Sequence, residues 1–270
     1  MAVTTLSGAI SGLQRDWQYI KNLSQSSTSV GLGRTLWAAT GFFPAGSYDT
    51  TLNGVALTAP ITGQFPHPTP ASGNAHLARI TARNSTAGVL IVADRLWHNG
   101  GYTITSTSAQ NSTTPAWPAR DIAGSTNGDG VLLAVEVSAA TGAGTPTITI
   151  SYTNQAGTAG KSGTNIVATT ASTGTSVTHF IGLQAGDTGV RSVQSLTLSA
   201  TWTSGTINMV AFRPLAMIPV KTSDVYTDVG DLVSICMPRM YDGSVPYLIY
   251  MDTSTSNAGA ISGVYGTTHG

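Results

Sequence analysis

The chain has 270 residues, 41% of them hydrophobic and only 9% charged, with twelve basic and twelve acidic residues that cancel to a formal net charge of zero. A chain of this length buries roughly 70–75% of its unfolded surface and can build a core without staples, while the single cysteine, Cys236, excludes an intramolecular disulfide and a thiolate metal cluster. No lysine or arginine stripe occurs, and no apolar run approaches the ~18 residues of a helical membrane span, so partners held by bulk electrostatics (nucleic acid, anionic membrane) are not expected.

From the N-terminus, "MAVTTLSGAISGL" lacks a basic leader and a continuous apolar stretch, which predicts synthesis and folding in a cytosol. Leu6, Ile10, Leu13, Trp17 and Ile20 recur at alternating spacings of four and three, and this predicts an N-terminal helical arm over residues 1–25 with one apolar face. Gly8 and Gly12 each cost a helix about 1 kcal/mol relative to alanine, so the stripe needs a packing partner, either its own sheet or a neighbouring subunit. Residues 26–75 carry prolines and turn signals and read as an extended, loop-rich arm with short strands such as "GVALTAPI".

Beyond Asn74 a period of two takes over. Strands are predicted at about 76–82, 88–97, 101–107, 131–139, 146–153, 177–184, 192–202 and 206–216, separated by glycine-rich turns such as "STNGDG" and "LQAGDTG". Eight strands without a helical period predict an all-β fold, an antiparallel sandwich over residues 76–220. Within it, Leu196, Leu198, Ala200 and Trp202 share one face, Ser204-Gly205 can make a two-residue turn, and Ile207, Met209 and Ala211 return, which predicts a core hairpin. Residues 221–270 read as late strands, "DLVSICM" and "PYLIYMD", with Cys236 as a small buried hydrophobe, followed by a Ser/Gly/Thr-rich tail that is mobile or ordered by a partner.

Catalytic patterns are not legible. The single glutamate, Glu136, lies within "LLAVEVSA", and the aspartates sit mostly in glycine-rich turns, where Asp ordinarily bonds nearby amides. His67, His76, His98, His179 and His269 show no metal-ligand spacing, and "GxSxG" is absent. Asp224, Asp228 and Asp231, and the "STNGDG" loop at 125–130, are the only oxygen-rich groups that suggest a cation, and turn chemistry explains both. The reading is therefore no catalytic residue, no metal and no cofactor. Trp97 and Tyr102 in "RLWHNGGY" and Trp117 in "PAWPARD" are the candidate platform for a weak carbohydrate contact, provided they are exposed together.

The Thr/Ser/Gly-rich strands over 76–220, the scarcity of Lys and Glu, the N-terminal arm and the late segment "TSGTINMVAFRPL" give the chain a style that resembles virion structural proteins of tailed bacteriophages, in particular jelly-roll capsid decoration, or cement, proteins. The resemblance implies a jelly-roll sandwich, a non-enzymatic homotrimer, a place on the virion after synthesis in the host cytoplasm, and contact with a phage major capsid protein or another virion protein. On that reading Leu6, Ile10, Leu13, Trp17 and Ile20 are the oligomer or capsid contact. A collar, tail or fibre component, or a carbohydrate-binding module facing the host surface, are the alternatives.

Overall fold

The alternation of apolar and hydroxyl residues is realised as antiparallel sheet across the residues that the computed structural model describes, 3–23, 30–67, 69–172, 174–221, 228–253 and 259–270. The chain opens with α1 (Leu6–Ser11) and β1 (Trp17–Asn22), then passes through long loops that carry β2 (Gly33–Thr35) and β3 (Val55–Ala56). The middle of the chain supplies β4 (Ala75–Ala82), β5 (Gly88–Asn99), β6 (Gln110–Asn111), β7 (Leu132–Ala139), β8 (Ile148–Asn154), β9 (Lys161–Asn165), β10 (Val177–Gly182), β11 (Val190–Leu198) and β12 (Thr206–Val220). The last strands are β13 (Asp228–Gly230), β14 (Arg239–Met240), β15 (Pro246–Asp252) and β16 (Ala260–His269).

The all-β expectation holds, and the organising unit is a closed barrel. Strands β2, β15, β5, β12, β7 and β10 follow one another in hydrogen-bonded order, and a further pairing of β10 with β2, Val177 opposite Arg34, closes the ring at six strands. Closure removes the free edges that an open sheet would present. From β10 the sheet continues outward through β9, β8, β11 and β6, while β1, β16, β4 and β13 form a second sheet with β14 paired to β4. Sandwich-like packing is thus confined to the two flanks of the barrel.

Three apolar cores follow from this layout, and β5 shows how one strand serves several. Leu90 and Val92 pack toward the second sheet with Tyr19, Ile80, Ile218, Tyr250 and Tyr265. Ile91 and Ala93, the alternate residues, point into the barrel with Ala134, Val210, Phe212, Tyr247 and Ile249. The ladder with β12 then slips by one residue between Ala211 and Phe212, so that Arg95 faces Phe212 and Trp97 faces Ala211. That bulge reverses the alternation. Trp97 accordingly joins the third core, in which Val135, Ile150, Leu196, Trp202, Ile207 and Met209 fill the space between the barrel wall and the β8–β11 layer.

Several sequence expectations are corrected here. A short N-terminal helix is present, but it takes only six residues of the predicted 1–25 arm: Thr5 caps it by accepting from the Gly8 amide, and it stops at Gly12. A Cβ at Gly12 would fall 2.0 Å from the His269 carbonyl oxygen, and this close approach lets the His269 amide bond to Gly12. Beyond it, Trp17–Asn22 is a strand whose buried residues are Tyr19 and Lys21, so the alternation of two, and not the stripe of Trp17 and Ile20, decides the structure. Lys21 is tolerated there because Nζ donates to the Ala39 and Phe43 carbonyls at 3.0 and 2.8 Å, and burial pulls its pKa down to about 8.

The predicted hairpin is not formed either. β11 pairs with β8 and β6, and β12 with β5 and β7, so the two segments lie in facing layers rather than side by side. Their apolar residues still share one core, as Leu196, Leu198, Trp202, Ile207 and Met209 are all buried in it, whereas Ala200 is exposed. Residues 101–107 form a loop instead of a strand, the segment at 231–237 is a series of turns with Cys236 exposed, and the C-terminal residues Ala260–His269 are a central strand of the second sheet between β1 and β4.

Candidate functional site

Several charged side chains lie where solvent is absent. Inside one end of the barrel, Arg95 donates through both terminal nitrogens to Glu136, at 2.8 and 2.7 Å, and both side chains are 0% exposed. The guanidinium lies over the Trp37 and Tyr247 rings at 4.7 and 5.2 Å. Burial opposes the Arg95 charge, but the Glu136 carboxylate outweighs it and holds the pKa above its ordinary value. On the outer side of the same strand, Asp94 accepts from Ser244 Oγ and the Val245 amide at 2.9 and 2.8 Å and lies 3.1 Å from Arg120 Nε. Arg120 also donates to the Leu57, Arg95 and Gly243 carbonyls, fastening the covering loops to the barrel. Neither carboxylate opens onto a groove where a substrate bond could lie between them, which acid–base cleavage of a glycoside requires.

The "STNGDG" loop is organised around an anion. Asp121 Oδ1 accepts from the Ala123 and Ser125 amides at 3.0 and 2.7 Å, and Oδ2 accepts from Ser125 Oγ, the Gly128 amide and the Asp129 amide at 2.6, 3.1 and 3.3 Å. Burial works against this charge, yet the bonds from Ser125, Asp129 and Ala123 keep the carboxyl below its ordinary range. Asp231 is similarly committed to the Val233 and Ser234 amides at 3.1 and 2.9 Å, while the Asp224 and Asp228 side chains lie outside the described residues. Among the described residues no group of three or more His, Cys, Asp and Glu side chains is placed to hold a metal. Asp121→Ala should cost about 2 kcal/mol, since it strands several amides at once; urea denaturation at neutral pH checks this.

The three aromatic candidates are brought together, but inward. Trp97 and Trp117 pack with ring centroids 5.9 Å apart, and both, like Tyr102, are buried in the core beside β11. A sugar stacks on an exposed ring face, and these rings offer none. The N-terminal stripe divides: Leu6, Ile10 and Leu13 are 63%, 54% and 48% exposed on α1 and the turn after it, Ile20 is exposed on β1, and Trp17 packs partly against the core of the second sheet.

One feature escaped sequence reading. The end of the barrel opposite Arg95 and Glu136 is not filled, leaving a cavity of about 240 Å³ between Ile91, Leu132, Phe180, Phe212, Met217 and Met251. These residues come from β5, β7, β10, β12 and β15, so only closure of the ring assembles them, and no local motif announces them.

No protein-family model matches the chain, and no curated protein matches it. Among solved structures, it is similar to a structure of the infectious bursal disease virus Gt strain, with 12% identity over 95% of this chain and 82% of that one and a TM-score of 0.18. It is also similar to the VP2 subviral particle of infectious bursal disease virus, with 9% identity over 95% and 81% of the two chains and a TM-score of 0.17. Likeness at this level transfers neither a fold nor a function.

Proposed function

We propose that the chain is a non-enzymatic structural protein of a virion that acts through protein–protein contacts, with capsid decoration, or cement, as the specific role. The observation that carries this reading is the exposed apolar group of Leu6, Ile10 and Leu13 on a chain of zero formal net charge. Such a chain lacks the self-repulsion that keeps monomers apart, and solvent-facing leucine and isoleucine in close succession favour a covering partner. A barrel clad on both sides by further sheet suits a part that must resist force, and several of its ionised groups, Arg95 with Glu136 and Arg120 with Asp94 among them, are spent on internal bonds. The jelly-roll relationship, the homotrimer, and the phage major capsid protein as partner all belong to this proposal. A collar, tail or fibre position in the virion uses the same surface. The carbohydrate-binding alternative loses its platform with the burial of Trp97, Tyr102 and Trp117.

The test leaves the fold intact. Removing the first 23 residues would strip β1 from the second sheet and uncover Tyr19's core, whereas Leu6→Ser, Ile10→Ser and Leu13→Ser together change only exposed positions. The wild type should scatter light as a trimer and decorate particles in many copies, and the triple variant should lose assembly or particle occupancy at unchanged circular dichroism. A wild type that is monomeric both in solution and on its particle, or a triple variant that assembles normally, would overturn the reading.

A further inference from the structure

We propose that the open end of the barrel is a binding site for an unbranched alkyl chain of about eight carbons, the apolar tail of a lipid-like molecule whose polar head stays in water. The cavity is bounded by the interior faces of five barrel strands through Ile91, Leu132, Phe180, Phe212 and Met251. Its mouth is rimmed by Ile166 and Met217, which are 69% and 61% exposed.

Three properties select this occupant. The described residues around the cavity are apolar or glycine, with no charged side chain and no side-chain hydroxyl or amide among them, so none of these side chains can anchor a polar group. A peptide strand laid across the mouth would leave its backbone groups without side-chain partners, which is costly away from water, whereas an alkyl chain has none to satisfy. The volume of about 240 Å³ exceeds the ~150 Å³ of an apolar cavity that stays dry and takes up benzene, a six-carbon molecule, which sets the scale of the occupant at about eight carbons or slightly more. The two methionine thioethers beside the paired Phe180 and Phe212 rings, 6.2 Å apart, can adjust to a chain of variable conformation.

A chain-length series tests the site. Binding of 1-butanol, 1-hexanol, 1-octanol, 1-decanol and 1-dodecanol to the full-length protein is measured by titration calorimetry, with thermal shift as a second readout. Each methylene buried is worth about 0.8 kcal/mol, a factor of about four in affinity. Affinity should therefore rise about fourfold per carbon up to about eight carbons and then level off, at one molecule per chain, and octanoate should bind about as tightly as 1-octanol because the head is not recognised. Met217→Trp, at an exposed rim position, should block the mouth and weaken 1-octanol binding at least tenfold. Ile166→Glu, also exposed, should do so by placing a charge there, and it serves if the larger side chain disturbs folding. No saturable binding, affinity that keeps climbing through twelve carbons as surface partition would, or undiminished binding in both folded variants would overturn the proposal. So would failure to bind alcohols together with loss of particle binding in the rim variants, which would assign the mouth to a protein partner.

Discussion

Glu136→Ala should lower the unfolding free energy by about 3–5 kcal/mol, the cost of leaving a buried charge without its counter-ion. Arg95 cannot escape to water, being 0% exposed inside the barrel, and the carboxylate takes two of its donors. The Trp37 and Tyr247 rings over the guanidinium recover only part of the loss, since such contacts give about 2 kcal/mol even when desolvated. Arg95→Met combined with Glu136→Leu should be far less damaging than either single change, because removing both charges also removes both desolvation penalties. Urea denaturation of the two single variants and the double variant decides the matter. Single variants within ~0.5 kcal/mol of wild type, or a double variant as unstable as the sum of the singles, would show that the pair is not the isolated buried unit described here.

The same pair marks the boundary of what sequence could reveal. A glutamate in mid-strand is conspicuous, but its partner Arg95 lies on another strand, brought near only because β7 and β5 both flank β12. Strands with one wet face, such as Ile148–Asn154 with Ile148, Ile150 and Tyr152 inward, were legible because burial alternates along them. β5 was legible as a strand but not in its packing, for it is buried on both faces and feeds three cores across a bulge. The segment from 192 to 216 carried the right buried residues, Ala200 excepted, with the wrong neighbour, because a run of alternating residues on either side of a Ser-Gly turn fits a hairpin and a layer-to-layer crossover equally well. At the N-terminus the helical stripe competed with strand alternation over the same residues, and pairing with β16 resolved it in favour of the strand. For the candidate sites, exposure was the missing quantity: Trp97, Tyr102 and Trp117 read alike whether they cover a groove or fill a core.

Acidification from neutral pH to about pH 4.5 should destabilise the protein by on the order of 5 kcal/mol through two buried histidines. His98 has its pKa lowered to about 3, first by burial and then by the Arg95 guanidinium, with Asp49 opposing. His179 is lowered to about 4 by burial alone, and among the described residues neither of its ring nitrogens has a hydrogen-bond partner where it packs 6.4 Å from Trp202. The unfolded chain binds a proton at each near the ordinary value of 6.5, and the folded chain does not until far lower. Across that interval the unfolded state holds more protons, so stability is full above about 6.5 and falls as pH falls, by about 1.4 kcal/mol per pH unit for each histidine. His67, His76 and His269 are lowered too and act in the same direction. The depressed carboxyls Asp121, Asp187 and Asp231 act elsewhere: what they contribute is present above the ordinary 3.8 and is lost only as pH falls below it. Denaturation midpoints at about pH 7.5 and 4.5 should therefore differ widely in the wild type, and His179→Leu, which removes one proton site from an apolar core, should cut the difference by about half. Midpoints that coincide at the two pH values would mean that these histidines are protonated, and hence solvated, in the folded protein, and that the core joining β10 to the loop of Trp202 is more open than its packing implies.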